Sequence, residues 1–79
     1  MPRFYFDVRD RKGFHRDDVG DVCDDFEDAI AQAQSLLPTI ARDELPGGDH
    51  QDLSCDVRDD ASRVVYQAVL SYRGKRLPN

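Results

Sequence analysis

Four side chains in this 79-residue chain are of types that bind soft metals or pair as nucleophile and base: His15, Cys23, His50 and Cys55. A zinc centre needs four such donors in a tetrahedron, and chains that build one usually supply them as short C-x-x-C or H-x-x-x-H pairs. Here the successive spacings are eight, twenty-seven and five residues, so no metal centre is expected. The carboxylates Asp17, Asp18, Asp21, Asp24 and Asp25 are hard-cation ligands by type. They do not alternate as in a calcium-binding loop and lack its terminal bidentate glutamate, so turn formation and helix capping account for them. No nucleophile elbow surrounds Ser35, Ser54, Ser62 or Ser71. A Cys55–His15 pair would be a thiolate nucleophile with its base, but spatial contact is invisible at this level. Gly47-Gly48 is too short to cradle a phosphate. No cofactor and no catalytic activity are expected.

Binding chemistry has more support. Arg9, Arg11, Lys12 and Arg16 cluster near the start of the chain, and Arg73, Lys75 and Arg76 near its end. Tyr5 and Tyr72 add faces on which bases stack, a combination found on sheets that bind single strands. The charge balance is +3 over residues 1–16, −12 over residues 17–60 and +4 over residues 61–79, for a net −5. An acidic whole opposes nonspecific binding to nucleic acid or anionic membranes, so a polyanion is the second choice of partner.

These residues need elements to position them. The string Asp-Val-Arg-Asp occurs twice, at 7–10 and 56–59, each copy following an apolar residue and preceding a turn and a second apolar run. Two similar β-hairpins with a helix between them are expected. Phe4, Phe6 and Val8 alternate with Tyr5 and Asp7 over a strand from Arg3 to Arg9. After an Asp10–Gly13 turn, Phe14–Arg16 can return as a short strand, and Asp17–Gly20 forms a second turn. Val22 and Cys23 either extend that strand or lead into the helix. Asp24 or Asp25 caps the helix, Asp24 and Glu27 having capping-box spacing. Phe26, Ala29, Ile30, Ala33, Leu37, Ile40 and Ala41 form its apolar stripe. Pro38 lies off that stripe, so the helix is expected to bend and continue until Pro46-Gly47-Gly48 stops it. Leu53, Cys55 and Val57 alternate in a third strand; Val64, Tyr66, Ala68, Leu70 and Tyr72 share one face of a fourth.

The expected fold is α+β in a ββαββ order: a mainly antiparallel four-stranded sheet with one amphipathic helix on one face. Residues 1–73 form a single domain and 74–79 a basic tail that frays. So small a chain leaves little room for a deep cleft. One helix covers one face; the other would carry Tyr5, Asp7, Ser54, Asp56, Arg58, Val65, Gln67 and Val69, a partly apolar mixture suited to a protein partner. Tyr5, Val65, Gln67 and Val69 are the expected interface, and a homodimer the expected assembly. The apolar run Phe4–Phe6 is far too short for a signal peptide or membrane span, so a cytoplasmic protein without membrane contact is expected. Two cysteines do not make a disulfide framework.

The opening Met1-Pro2-Arg3-Phe4-Tyr5-Phe6 resembles that of a family of small uncharacterised bacterial proteins, a domain of unknown function. That family continues to a D-x-x-G turn, matched here by Asp17 and Gly20, then to an alanine-rich helix, matched by Ala29 and Ala33. A V-x-D-x-x-G-R hairpin follows, matched by Val57, Asp59 and Arg63, with Ser62 in place of the usual glycine. Pro38 is unusual for the family's helix. The resemblance spans nearly the whole chain and implies structural positions only, with no site residues.

Overall fold

The computed structural model describes residues 1–45 and 48–78. Its elements are β1 (Arg3–Asp10), β2 (Gly13–His15), β3 (Asp21–Val22), α1 (Phe26–Glu44), β4 (His50–Arg58) and β5 (Val64–Arg73). The expected four-strand count is thus corrected to five: Asp21–Val22 forms a strand of its own, too short to leave a period in the sequence. The sheet is antiparallel throughout, in the order β2-β1-β4-β5, with β3 pairing β1 beyond the end of β2.

The two Asp-Val-Arg-Asp copies do not head two equivalent hairpins. They pair with each other, Asp7 opposite Asp56 and Phe6 opposite Val57. Their return strands differ, three residues in β2 against ten in β5.

α1 starts at N-cap Asp25, the second of the two expected caps. The Asp25 carboxylate accepts from the Asp28 N–H at 2.8 Å, and the Asp28 carboxylate accepts from the Asp24 N–H at 3.2 Å. The helix runs through Pro38, which is solvent-exposed and off the packed stripe. It ends at Glu44, whose carbonyl accepts from the Gln51 side chain at 2.9 Å; the expected stop at Pro46 and Gly47 lies outside the described residues. Ala29, Ala33, Leu37 and Ala41 turn inward onto Leu53, Cys55 and Val57 of β4, with Phe4 and Cys23 closing the core. Small alanines let the helix lie close over the sheet, which suits a core of so few large side chains.

The β4–β5 hairpin closes over Asp60, Ala61 and Ser62. The Asp59 N–H donates to the Arg63 carbonyl, the Ser62 N–H to the Asp59 carbonyl, and Ser62 sits at φ 63°. This is a type I turn followed by one left-handed residue, the place where glycine relieves the strain. Ser62→Gly should therefore raise stability by about 0.5–1 kcal/mol, the relief of left-handed strain less glycine's extra unfolded freedom. Urea unfolding checks this; a lower midpoint would contradict it.

Candidate functional site

The outer edge of β1 is paired at both ends and open in the middle. β3 pairs Arg3 and Phe4, and β2 pairs Val8, Arg9 and Asp10. In the gap Asp17 supplies the missing partner, its Oδ2 accepting from the Phe6 N–H at 3.0 Å. Its Oδ1 accepts from the Val19 and Gly20 N–H groups at 3.1 and 2.9 Å, which folds the D-x-x-G turn tightly. Gly20 has φ +74°, and a Cβ there would lie 2.8 Å from the Phe4 carbonyl oxygen and 2.9 Å from the Tyr5 ring.

The same loop is tied to the sheet by a buried ion pair. Arg58 donates from Nε to Asp7 Oδ2 at 2.6 Å and from Nη2 to Asp7 Oδ1 at 3.1 Å. Nη2 also donates to the Asp17 carbonyl at 2.7 Å, and the Asp17 N–H donates to Asp7 Oδ1 at 2.9 Å. The guanidinium stacks 4.9 Å from the centre of the Tyr5 ring. Asp7 and Arg58 are only 5% and 6% exposed, so this part of the second face is a closed polar network, not a wet surface. Alternation places both residues on that face but does not pair them.

Burial alone would raise the Asp7 pKa. The hydrogen bonds of Arg58 and the Asp17 N–H, with the charges of Arg58 and Arg16, outweigh it and hold the carboxyl below its ordinary 3.8. Asp17 behaves alike: burial raises it, and the N–H groups of Gly20, Phe6 and Val19 outweigh burial and the nearby Asp7 charge. A folded value below the unfolded one stabilises the fold at pH above the unfolded value, and that contribution disappears as pH falls through the folded value. Stability should thus be flat from neutral pH to about 5 and fall steeply below about 4. Urea midpoints from pH 7 to 2.5 test this; a midpoint unchanged at pH 3 would contradict it.

The expected interface residues are only partly brought together. Val65, Gln67 and Val69 stand exposed along β5. Gln67 Nε2 donates to Asp56 Oδ1 at 2.7 Å. Tyr5 is half-buried on β1, on the far side of β4 and beneath Arg58, so it stands apart from the valines. β5 is an edge strand: among the described residues no strand pairs its outer side. From Val64 to Tyr72 it carries no charge.

The basic residues divide similarly. β1 and β5 both run antiparallel to β4, and Arg73 pairs His50 at the start of β4. The Arg11–Lys12 turn, Arg73, Lys75 and Arg76 therefore share one end of the sheet. Arg9, one pair back from that turn, lies 4.9 Å over the Phe14 ring beside this end, and Arg16 pairs with Asp18 at 3.2 Å further from it. The opposite end gathers the carboxylates of the Asp59–Asp60 turn, β3 and the N-terminus of α1.

A shallow, open groove of about 590 Å³ lies between α1 and β1. Phe6, Ala31 and Leu36 supply its apolar part and Asp17, Asp21 and Asp28 its charges. Asp17 is already committed to the loop.

Nucleophilic chemistry finds no support in the cysteines. Cys55 and His15 flank Val8 on neighbouring strands, leaving Val8 between them. Cys55 is fully buried; burial first, then the charges of Asp56, Asp7 and Asp17, push its thiol up to about 11, so it stays protonated at neutral pH. Burial, helped by Asp28 and its neighbours, also raises Cys23. His15 and His50 are exposed and lie near Asp10 and Asp52. Among the described residues no group of three or more His, Cys, Asp and Glu side chains is placed to hold a metal ion. Also among them, no helix is long and apolar enough to cross a membrane.

The chain has no match among curated proteins or among solved structures. A family model matches residues 3–71, from the first residue of β1 almost to the end of β5, and the chain therefore belongs to the family described as "Domain of unknown function (DUF6894)".

Proposed function

We propose that this domain acts by protein–protein contact without catalysis, and that it self-associates through the β5 side of its sheet, where Val65, Gln67 and Val69 stand. The observation that carries this is β5 itself: an edge strand of ten residues, uncharged from Val64 to Tyr72, with Val65 and Val69 exposed at 38% and 61%. Free edges are normally shortened, charged or covered because they template pairing. The other edge of this sheet is so managed, by the three-residue β2 with its flanking charges and by the Asp17 turn. The double variant Val65→Lys/Val69→Lys keeps both side chains at exposed positions, so it should fold. It should weaken self-association by about tenfold or more, read by light scattering over a dilution series. Equal association in wild type and variant would contradict the reading.

A second reading rests on the shared position of Arg11, Lys12, Arg73, Lys75 and Arg76 at one end, which suits a polyanion or an acidic partner. It entails salt-sensitive binding to a single-stranded oligonucleotide that is lost in Arg11→Glu/Lys12→Glu. The net charge of −5 ranks it second.

A further inference from the structure

We infer that two copies join edge to edge, β5 against β5 in antiparallel register about a two-fold axis at Val69, making one continuous sheet with both helices on the same side. This rests on the self-association proposed above and specifies how it happens.

The core is open along the β5 edge. On the helix-facing side Leu53, Cys55 and Val57 of β4 are sealed at 0–1% exposure, whereas their neighbours Leu70, Ala68 and Tyr66 on β5 are only half-buried. A groove of about 300 Å³ runs there between α1 and β5, lined by Leu37, Pro38, Tyr66, Ala68 and Leu70. Pairing at the β5 edge lays the second copy's strand and helix alongside this groove. The chain exposes 5534 Å². A compact monomer of 9.0 kDa exposes about 4,900 Å². The excess, roughly 600 Å², is shared between the exposed tail after Gly74 and the open β5 edge.

Charge selects a second copy over another strand. The acidic end, with Asp60 and with Asp59 paired to Arg63 at 2.9 Å, lies at the start of β5, and the basic end, with Arg73, Lys75 and Arg76, lies at its finish. Antiparallel pairing sets the acidic end of each copy beside the basic end of the other, twice. The register follows from the same logic. Side chains opposite one another must share a face, so the axis passes through a residue. Centres at Ala68 and Val69 give the longest overlap of Val64–Arg73 with itself. A centre at Ala68 sets Arg73 against Arg63 of the other copy, a destabilising like-charge pair within the ladder. A centre at Val69 sets Arg73 against Val65, Tyr72 against Tyr66 and Val69 against itself, and its one like-charge pair, Arg63 opposite Lys75, falls outside the ladder, beyond the ends of the strand.

Amide hydrogen exchange on the wild-type chain, at concentrations well below and well above the association midpoint found by light scattering, tests this. Association should slow alternate amides of Val65–Arg73, those facing away from β4, by about tenfold or more, and leave the β1 and β2 amides unchanged. Val69→Cys should form a disulfide-linked dimer on oxidation, whereas Gln67→Cys, offset from its own copy, should not. A dimer whose β5 amides exchange as fast as in the monomer overturns edge pairing while leaving self-association standing. A chain monomeric at every concentration overturns both.

Discussion

Arg58→Met should unfold much of the population under mild denaturant, at a cost of about 3 kcal/mol. The substitution keeps the apolar stem over Tyr5 but removes the guanidinium that makes two bonds to Asp7 and one to the Asp17 carbonyl. Asp7 is then left charged, 5% exposed and without its counter-ion, and an uncompensated buried charge is the expensive outcome. For so small a domain this is a large share of a total near 5 kcal/mol. With a urea slope near 1 kcal/mol/M the midpoint should fall by about 3 M. Removing both charges together, as Asp7→Leu/Arg58→Met, should cost less than Arg58→Met alone, because no charge is stranded. A loss under 1 kcal/mol in the single variant would mean that the network does not hold the loop.

Gly20→Ala should be nearly as damaging, by about 2–3 kcal/mol, although it adds one methyl group. At φ +74° an L residue pays for a left-handed backbone, and the new Cβ meets the Phe4 carbonyl oxygen at 2.8 Å. That oxygen is backbone in a paired strand and cannot swing aside, so the turn must lift and the Asp17 bond to the Phe6 N–H lengthens with it. Gly48→Ala is the control: nothing lies within 4 Å of its Cβ position, and it should change stability by less than about 0.5 kcal/mol. Urea unfolding of the two variants reads the difference; equal midpoints would contradict it.

Both predictions concern a network that the sequence only half reveals. The D-x-x-G spacing of Asp17 and Gly20 announces a turn, because an aspartate accepting from its third neighbour and a left-handed glycine are local devices. The Asp7–Arg58 pair spans fifty-one residues and depends on β1–β4 register, which alternation does not encode. Alternation shows which side chains share a face; it does not say which strands are neighbours. Hence Phe4, Leu53, Cys55 and Val57 are legible as core, as is the helix through Pro38. The separation of Tyr5 from Val65 and Val69 is not. Strand β3 is not legible either, because two residues carry no period. The exposure of β5 was visible only as Val65 and Val69 on a face that the helix cannot cover. That β5 is also the edge comes from the strand order alone.

The most direct measurement is the mass of the wild-type chain by light scattering after size exclusion, at low and high salt, with absorbance at 260 and 280 nm. Self-association through β5 predicts a particle of about 18 kDa, twice the 9.0 kDa chain, that persists in high salt with a protein-like spectrum. A particle of 9.0 kDa at every concentration would contradict it. If that particle also carried excess 260 nm absorbance removed by salt, the basic end would become the working surface of this domain.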